Sequence, residues 1–205
     1  MRTPGRFITF EGIDGSGKTT QIDALEKFLT DKGIEVVRTR EPGGAPLSEK
    51  LRELILTEEM TITTETLLFF AARAEHVART IRPALERGAW VLSDRFTDAT
   101  YAYQVGAKGF PAEKCLELER WTLEGFAPDV TVLFDLAPEV AETRRRVRAG
   151  RTDRFEEERR DFFVRVRNAY LERAAAHPER YLVLDASEGP SEISTRLLKE
   201  AARWL

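Results

Sequence analysis

An α/β fold, a five-stranded parallel sheet between two layers of helices, is predicted by three observations in this sequence. Apolar runs of strand length alternate with amphipathic segments of helix length along the chain. Those runs show almost no polar alternation, as strands covered on both faces do not. The stretches richest in Gly, Pro and charge come just after them, at the strand ends where such sheets carry their ligand crevice. With 205 residues, 42% of them hydrophobic, and no repeat or linker, the chain reads as one domain, 1–205.

The first run, Phe7 to Glu11, leads into Gly12-Ile13-Asp14-Gly15-Ser16-Gly17-Lys18-Thr19-Thr20. Gly12, Gly17, Lys18 and Thr19 stand at the G-x-x-x-x-G-K-[ST] spacing of a phosphate loop, between a strand and a helix as that motif requires. Glycines let successive N–H groups turn toward a polyphosphate at a helix N-terminus. Lys18 offers a point charge to the β- and γ-phosphates, and Thr19 a hydroxyl to Mg²⁺. The helix that follows carries Ile22, Leu25, Phe28 and Leu29 on one face and ends at Gly33.

A second strand, Ile34 to Thr39, runs into Arg40-Glu41-Pro42-Gly43-Gly44, and a helix with Leu47, Leu51, Leu54 and Ile55 on one side comes next. Thr63 or Thr64 is placed to cap a long helical segment that reaches Gly88, with a bend near Pro83. On it Phe69 and Arg73 share a face, an aromatic plate beside a guanidinium that suits a planar ligand; a core role for the Phe is the competing reading. Ala89 to Ser93 is a buried strand that delivers Asp94 and Arg95 at its end. An acid there holds Mg²⁺ in phosphate-loop proteins and a neighbouring Arg reaches a second phosphate, the alternative being an ion pair that caps the next helix. Thr100, Tyr103 and Gln104 fall on one helical face and can line a pocket.

Ala112 to Glu124 forms an amphipathic helix, Val130 to Leu136 a fourth strand, and Pro138 opens a helix leading into the arginine-rich stretch 144–156. Its arginines crowd around Gly150, which fits a flap over a nucleotide better than a solvated face. A helix through Phe162 to Tyr170, a fifth strand from Tyr181 to Leu184 and a closing helix complete the chain. The formal net charge of −3 gives no field for holding nucleic acid or an anionic membrane. No apolar run is long enough to span a bilayer, and the N-terminus has no signal-peptide pattern. A lone cysteine, Cys115, reads as a packed thiol in a reducing, cytoplasmic setting. His76 and His177 lack metal-ligand spacing and read as ordinary helix residues.

Five pieces taken in order carry a resemblance that covers essentially the whole chain. They are the phosphate loop with Phe10 and Glu11, Thr39 to Gly44, Leu67 to Arg73, Ser93 to Arg95 with Ala102-Tyr103-Gln104, and Asp153 to Glu156. The chain resembles the thymidylate kinases, phosphate-loop NTPases of the nucleoside monophosphate kinase type that phosphorylate dTMP from ATP with Mg²⁺. The resemblance implies that residues 12–20 bind ATP, that Thr19 and Asp94 serve the metal, and that Lys18, Asp14, Arg95, Arg151 and Arg154 act in catalysis. It implies a dTMP site in which Phe69 stacks on thymine while Arg73, Thr100 and Gln104 read its polar edge. Asp14 would lie near the 3′-hydroxyl, Tyr103 would crowd a 2′-hydroxyl, Arg95 would bind the acceptor phosphate, and Glu41 with a cis Pro42 would shape the pocket floor. Gly15 stands where some members carry a loop arginine, which points to lid arginines as in the bacterial enzymes. A homodimer is implied as well.

The competing readings are another small-molecule kinase of the same architecture and a non-catalytic nucleotide-binding module. A GTPase switch has no support, since Asn168 is the only asparagine and no guanine motif can be formed.

Overall fold

A computed structural model of the chain describes residues 5–149 and 156–205, the side chains of 145–149 and 156–159 excepted. Five parallel strands form one sheet: β1 (Phe7–Glu11), β2 (Val36–Arg40), β3 (Trp90–Asp94), β4 (Val130–Asp135) and β5 (Tyr181–Asp185). Their order across the sheet is β2-β3-β1-β4-β5. With β1 in the middle, the phosphate loop that follows it emerges at the centre of the C-terminal edge, flanked by the ends of β3 and β4.

Alternation along the strands sends side chains to two helical layers. Ile8, Phe10, Trp90 and Leu92 share a core with Ile22, Leu25 and Leu29 of α1 (Lys18–Thr30) and with Leu197 and Ala201 of α9 (Pro190–Trp204). Phe7 and Val91 pack instead with Val77, Ile81, Ala84 and Leu123. Those come from the segment after α3 (Ile62–His76), from α4 (Arg82–Glu86) and from α6 (Ala112–Leu123). The α/β architecture and the five parallel strands follow the sequence reading, with strand limits shifted by one or two residues.

Local differences have local causes. The cap of α3 is Thr61, whose extended backbone lets its hydroxyl accept from Thr64 N–H at 3.3 Å, whereas Thr63 and Thr64 already lie in the first turn. The bend expected near Pro83 is a π-helical turn at Val77–Ile81, between α3 and α4. Proline supplies no N–H to the carbonyl four residues back, and a wide turn absorbs the mismatch. In α2 (Pro46–Thr57), Leu47 and Leu54 are half-exposed rather than buried, while Ser48 is buried and donates to Ala72 O at 2.8 Å. Cys115 is buried and unpaired, and burial pushes its thiol up to about 11. The remaining helices are α5 (Thr97–Thr100), continued by a π-helical stretch at Tyr101–Ala107, then α7 (Pro138–Ala149) and α8 (Glu156–Ala176).

Candidate active site

Three strand ends converge on one place. β1 delivers the phosphate loop, β2 delivers Glu41 and Pro42, and β3 delivers Asp94 and Arg95. In the loop, Gly12, Gly15 and Gly17 all take positive φ, at 134°, 96° and 88°. A Cβ on Gly12 would lie 2.6 Å from Phe134 O, so this turn has room only for glycine. No side chain caps α1, whose first N–H groups are therefore left for an anion. Lys18 folds back over the loop and donates to Gly12 O at 3.1 Å, with its Nζ 3.8 Å from Asp94 Oδ1. Burial, and then Arg95, pull its ammonium down to about 8. Ser16 is buried with no partner for Oγ, Ile13 faces the core, and Thr19 and Thr20 are exposed on the first turn.

Beside the loop is a cavity of about 430 Å³. Phe69 and Arg73 line it from α3, Arg95 and Asp14 from the strand ends, and Tyr103 and Gln104 from the π-helical stretch. Glu41, Pro42, Asp94 and Thr100 contribute to the same wall. The Glu41–Pro42 peptide is cis. The pocket set expected from sequence is thus brought together, whereas Arg151 and Arg154 of the lid expected over 144–156 lie outside the described residues, as does the side chain of Arg148.

Arg73, in the cavity wall, is 2% exposed. Its Nε donates to Glu41 Oε2 at 2.6 Å, and Nη2 donates to Phe96 O at 3.1 Å and to Thr100 Oγ1 at 3.0 Å. Its guanidinium lies against the rings of Phe70 and Phe96, 5.1 and 5.3 Å from their centroids. Nη1 is buried without a partner. Gln104 donates through Nε2 to Glu65 Oε1 at 2.8 Å, and Lys108 holds the same carboxylate. That arrangement fixes the amide so that its carbonyl oxygen is left to accept.

Arg95 has φ 75°, a left-handed conformation that a non-glycine residue adopts only under constraint. Its guanidinium donates to Asp14 Oδ1 at 2.8 Å, Tyr170 Oη at 3.0 Å and Tyr103 Oη at 3.2 Å, and it stacks over the Tyr103 ring at 4.9 Å. Tyr170 in turn donates to Glu11 Oε2 at 2.7 Å, and Glu11 Oε1 accepts from Phe96 N–H. Burial, then Asp98, push the Glu11 carboxyl up to about 7.

Sequence reasoning missed this supporting layer. Glu11 had a signal, an acid closing an otherwise apolar strand. Asp98 is wholly buried, held by Arg173 at 2.5 Å and Arg180 at 2.7 Å, and these arginines keep its carboxyl far below the usual range. His76 is no ordinary helix residue: it is fully buried between Glu41 and Thr39. Tyr170 and Arg180 gave no signal, because α8 and β5 reach the site only through tertiary packing.

Known proteins are similar to this chain in sequence and in fold. The family model for thymidylate kinase matches residues 10–197. The chain belongs to the thymidylate kinase family. Among curated members, the thymidylate kinase of Thiobacillus denitrificans is 57% identical over 92% of both chains, and that of Methylobacillus flagellatus is 52% identical over 95% of both. The crystal structure of thymidylate kinase from Ehrlichia chaffeensis is similar at TM-score 0.78 and 33% identity, covering 97% of this chain and 99% of that one. Family membership thus agrees with the nucleoside monophosphate kinase fold built above from the sheet order and the loop.

Proposed function

We propose that the chain transfers the γ-phosphoryl group of ATP to dTMP, giving dTDP, with the cavity beside the phosphate loop as the acceptor site. The observation that carries the reading is Arg73: a buried guanidinium, clamped on two nitrogens, whose Nη1 has no partner, lining a cavity shared with an aromatic plate and with Arg95. A pyrimidine stacked on Phe69 would offer a carbonyl to Nη1 and a ring N–H to the Gln104 carbonyl. Thymine has both groups, whereas cytosine presents an amino group and a bare ring nitrogen and would leave each reader facing its own kind. Thr100 serves by holding Arg73, Glu41 by anchoring it, and Pro42 by closing the floor.

The acceptor phosphate is already an anion, so the residues need supply no general base. Their work is to bring two anions together and offset the repulsion. Asp14, Tyr103 and Tyr170 hold the Arg95 guanidinium in place, close enough to Lys18 for the two charges to interact. In this reading Tyr103 and Asp14, which line the same cavity, would lie beside the sugar. Backbone N–H groups of residues 12–20 would cradle the donor phosphates.

Among the described residues no cluster of three ligating side chains exists for a metal. That suits Mg²⁺, which takes one or two protein ligands and completes its shell with water and phosphate oxygens. Asp94 Oδ1, buried without a hydrogen-bond partner, and the exposed Thr19 hydroxyl fit it. Bound with ATP, the ion would supply neutralisation of the phosphate charge. Arg151 and Arg154, outside the described residues, would supply in this reading the charge that a loop arginine supplies in members without a glycine at position 15. Residues 1–205 act as one domain in this reading. Half-exposed Leu47, Leu54 and Leu67, with the more exposed Leu56, support a homodimer through α2 and α3. No helix among the described residues is long and apolar enough to cross a membrane, and a cytoplasmic setting with nucleotide rather than polymeric partners accords with that.

Calorimetric titration of dTMP, dUMP and dCMP into the protein tests the pocket. Tight dTMP binding, weaker dUMP and negligible dCMP are expected. Equal affinity for dCMP would remove Arg73 and Gln104 as readers of the base.

A further inference from the structure

We propose that His76 is a positioning residue for base recognition, acting through Glu41 to fix the Arg73 guanidinium. The inference rests on Arg73 reading the base as proposed above.

His76 is the last residue of α3 and lies three positions after Arg73, so both side chains leave the same face of the helix. Between them stands Glu41 from the end of β2, with one carboxylate oxygen for each neighbour. Oε2 accepts from Arg73 Nε at 2.6 Å and Oε1 meets His76 Nδ1 at 2.9 Å. The three side chains are 1%, 3% and 0% exposed in the order Arg73, Glu41, His76. The second imidazole nitrogen, Nε2, meets Thr39 Oγ1 at 2.7 Å.

Chemistry fixes the direction of these bonds. A carboxylate facing an arginine only accepts, so Nδ1 carries the proton, and in a neutral ring Nε2 then accepts from the Thr39 hydroxyl. The imidazole cannot slide away, because Gly44 covers it so closely that a Cβ there would collide with both the ring and the Thr39 hydroxyl.

Without the Nδ1 donor, Oε1 would be a buried acceptor with no partner and the carboxylate would turn to find one. Arg73 Nε would follow it. Nη2 is tied to Phe96 O and Thr100 Oγ1, so rotation about that tie moves Nη1, the nitrogen left for the base. The Nδ1 bond therefore carries the function, and the Nε2 bond carries packing. No proton moves in this role, so His76 sets geometry and takes no part in the transfer.

Two amides separate the bonds, since an Asn side-chain nitrogen falls near the position of Nδ1 and a Gln nitrogen near that of Nε2. His76→Asn keeps a donor for Glu41. His76→Gln keeps a group at Thr39 and loses that donor. Thr39→Val removes only the Nε2 bond. Each variant is titrated with dTMP and dCMP at a temperature where circular dichroism shows it fully folded, because an unfolded fraction would itself weaken the apparent Kd, and KM is measured for ATP and for dTMP.

His76→Gln is expected to weaken dTMP binding about tenfold or more and to narrow its preference over dCMP, with KM for ATP within about twofold. His76→Asn and Thr39→Val are expected to stay within about threefold of wild type. Equal dTMP affinity for the Gln and Asn variants would overturn the proposal, as would a loss in His76→Gln confined to kcat. A tenfold loss in Thr39→Val would place the effect in packing around the ring and overturn it even where His76→Gln does not fold. Wild-type preference for dTMP over dCMP tests the pocket itself, while the order of the variants tests His76.

Discussion

A lysine in water is charged at any physiological pH, but Lys18 in the phosphate loop is 7% exposed, with one carbonyl partner and a carboxylate at 3.8 Å. Burial, with Arg95 nearby, brings its ammonium down to about 8, so raising the pH is itself a perturbation of the phosphate site. For a group of that pKa the charged fraction is roughly 0.9 at pH 7 and roughly 0.1 at pH 9. If ATP enters only the charged form, kcat/KM for ATP, which reports the free enzyme, falls about tenfold over that interval. Phosphate monoesters lose their second proton near pH ~6, so substrate charge does not follow the same course. At saturating ATP the phosphates lie beside Nζ and raise its pKa again, and kcat should fall far less. Steady-state rates from pH 6.5 to 9.5 measure both, kcat/KM for ATP at dTMP well below its KM and kcat with both substrates saturating. A kcat/KM for ATP flat to pH 9.5, or a parallel fall in both parameters, would refute the reasoning.

Phe69→Ala should weaken dTMP binding by about 1–3 kcal/mol, the usual worth of a base stacked on an aromatic ring, while KM for ATP holds. Calorimetry on the variant checks this, and unchanged affinity would remove Phe69 from the site. The carboxyl of Glu11 keeps its proton to about pH 7 in the folded state and releases it near 4.5 when unfolded. The native protein thus binds more protons between those values, and stability falls as pH rises through that window. Glu11→Gln removes this slope, so the wild type should lose on the order of 2 kcal/mol more than the variant between pH 5 and pH 8 in urea unfolding; parallel losses would contradict it. Asp98→Asn leaves Arg173 and Arg180 without their buried partner and should cost about 3–5 kcal/mol, read as a Tm lowered by roughly 6–20 °C. A shift within a degree or two would show that the cluster is not needed.

Parts of the site fixed by local chemistry were legible in the sequence. The phosphate loop was readable because its glycines and lysine keep a spacing set by a polyphosphate. Asp94 and Arg95 were readable because a polar pair at the end of a buried strand has few other uses. Phe69 and Arg73 were readable as neighbours from helical periodicity, though nothing local said that Arg73 would be clamped by Glu41. Burial of polar side chains was not legible. Glu11, His76 and Asp98 resemble surface residues in composition, and what buries them is a set of partners up to 159 positions away, as with Glu11 and Tyr170. The apolar side of α2 was legible for the related reason only as a stripe, since periodicity does not say what covers it, and Leu47 and Leu54 are half-exposed.

The most direct test of phosphoryl transfer to dTMP is to follow γ-labelled ATP with Mg²⁺ and one acceptor at a time: dTMP, dUMP, dCMP, UMP, AMP, GMP or thymidine. Label should pass rapidly into dTDP, slowly to dUMP and negligibly to the others. Equal or faster transfer to dCMP or AMP would contradict the assignment of the pocket, and label released only as inorganic phosphate would contradict the reaction.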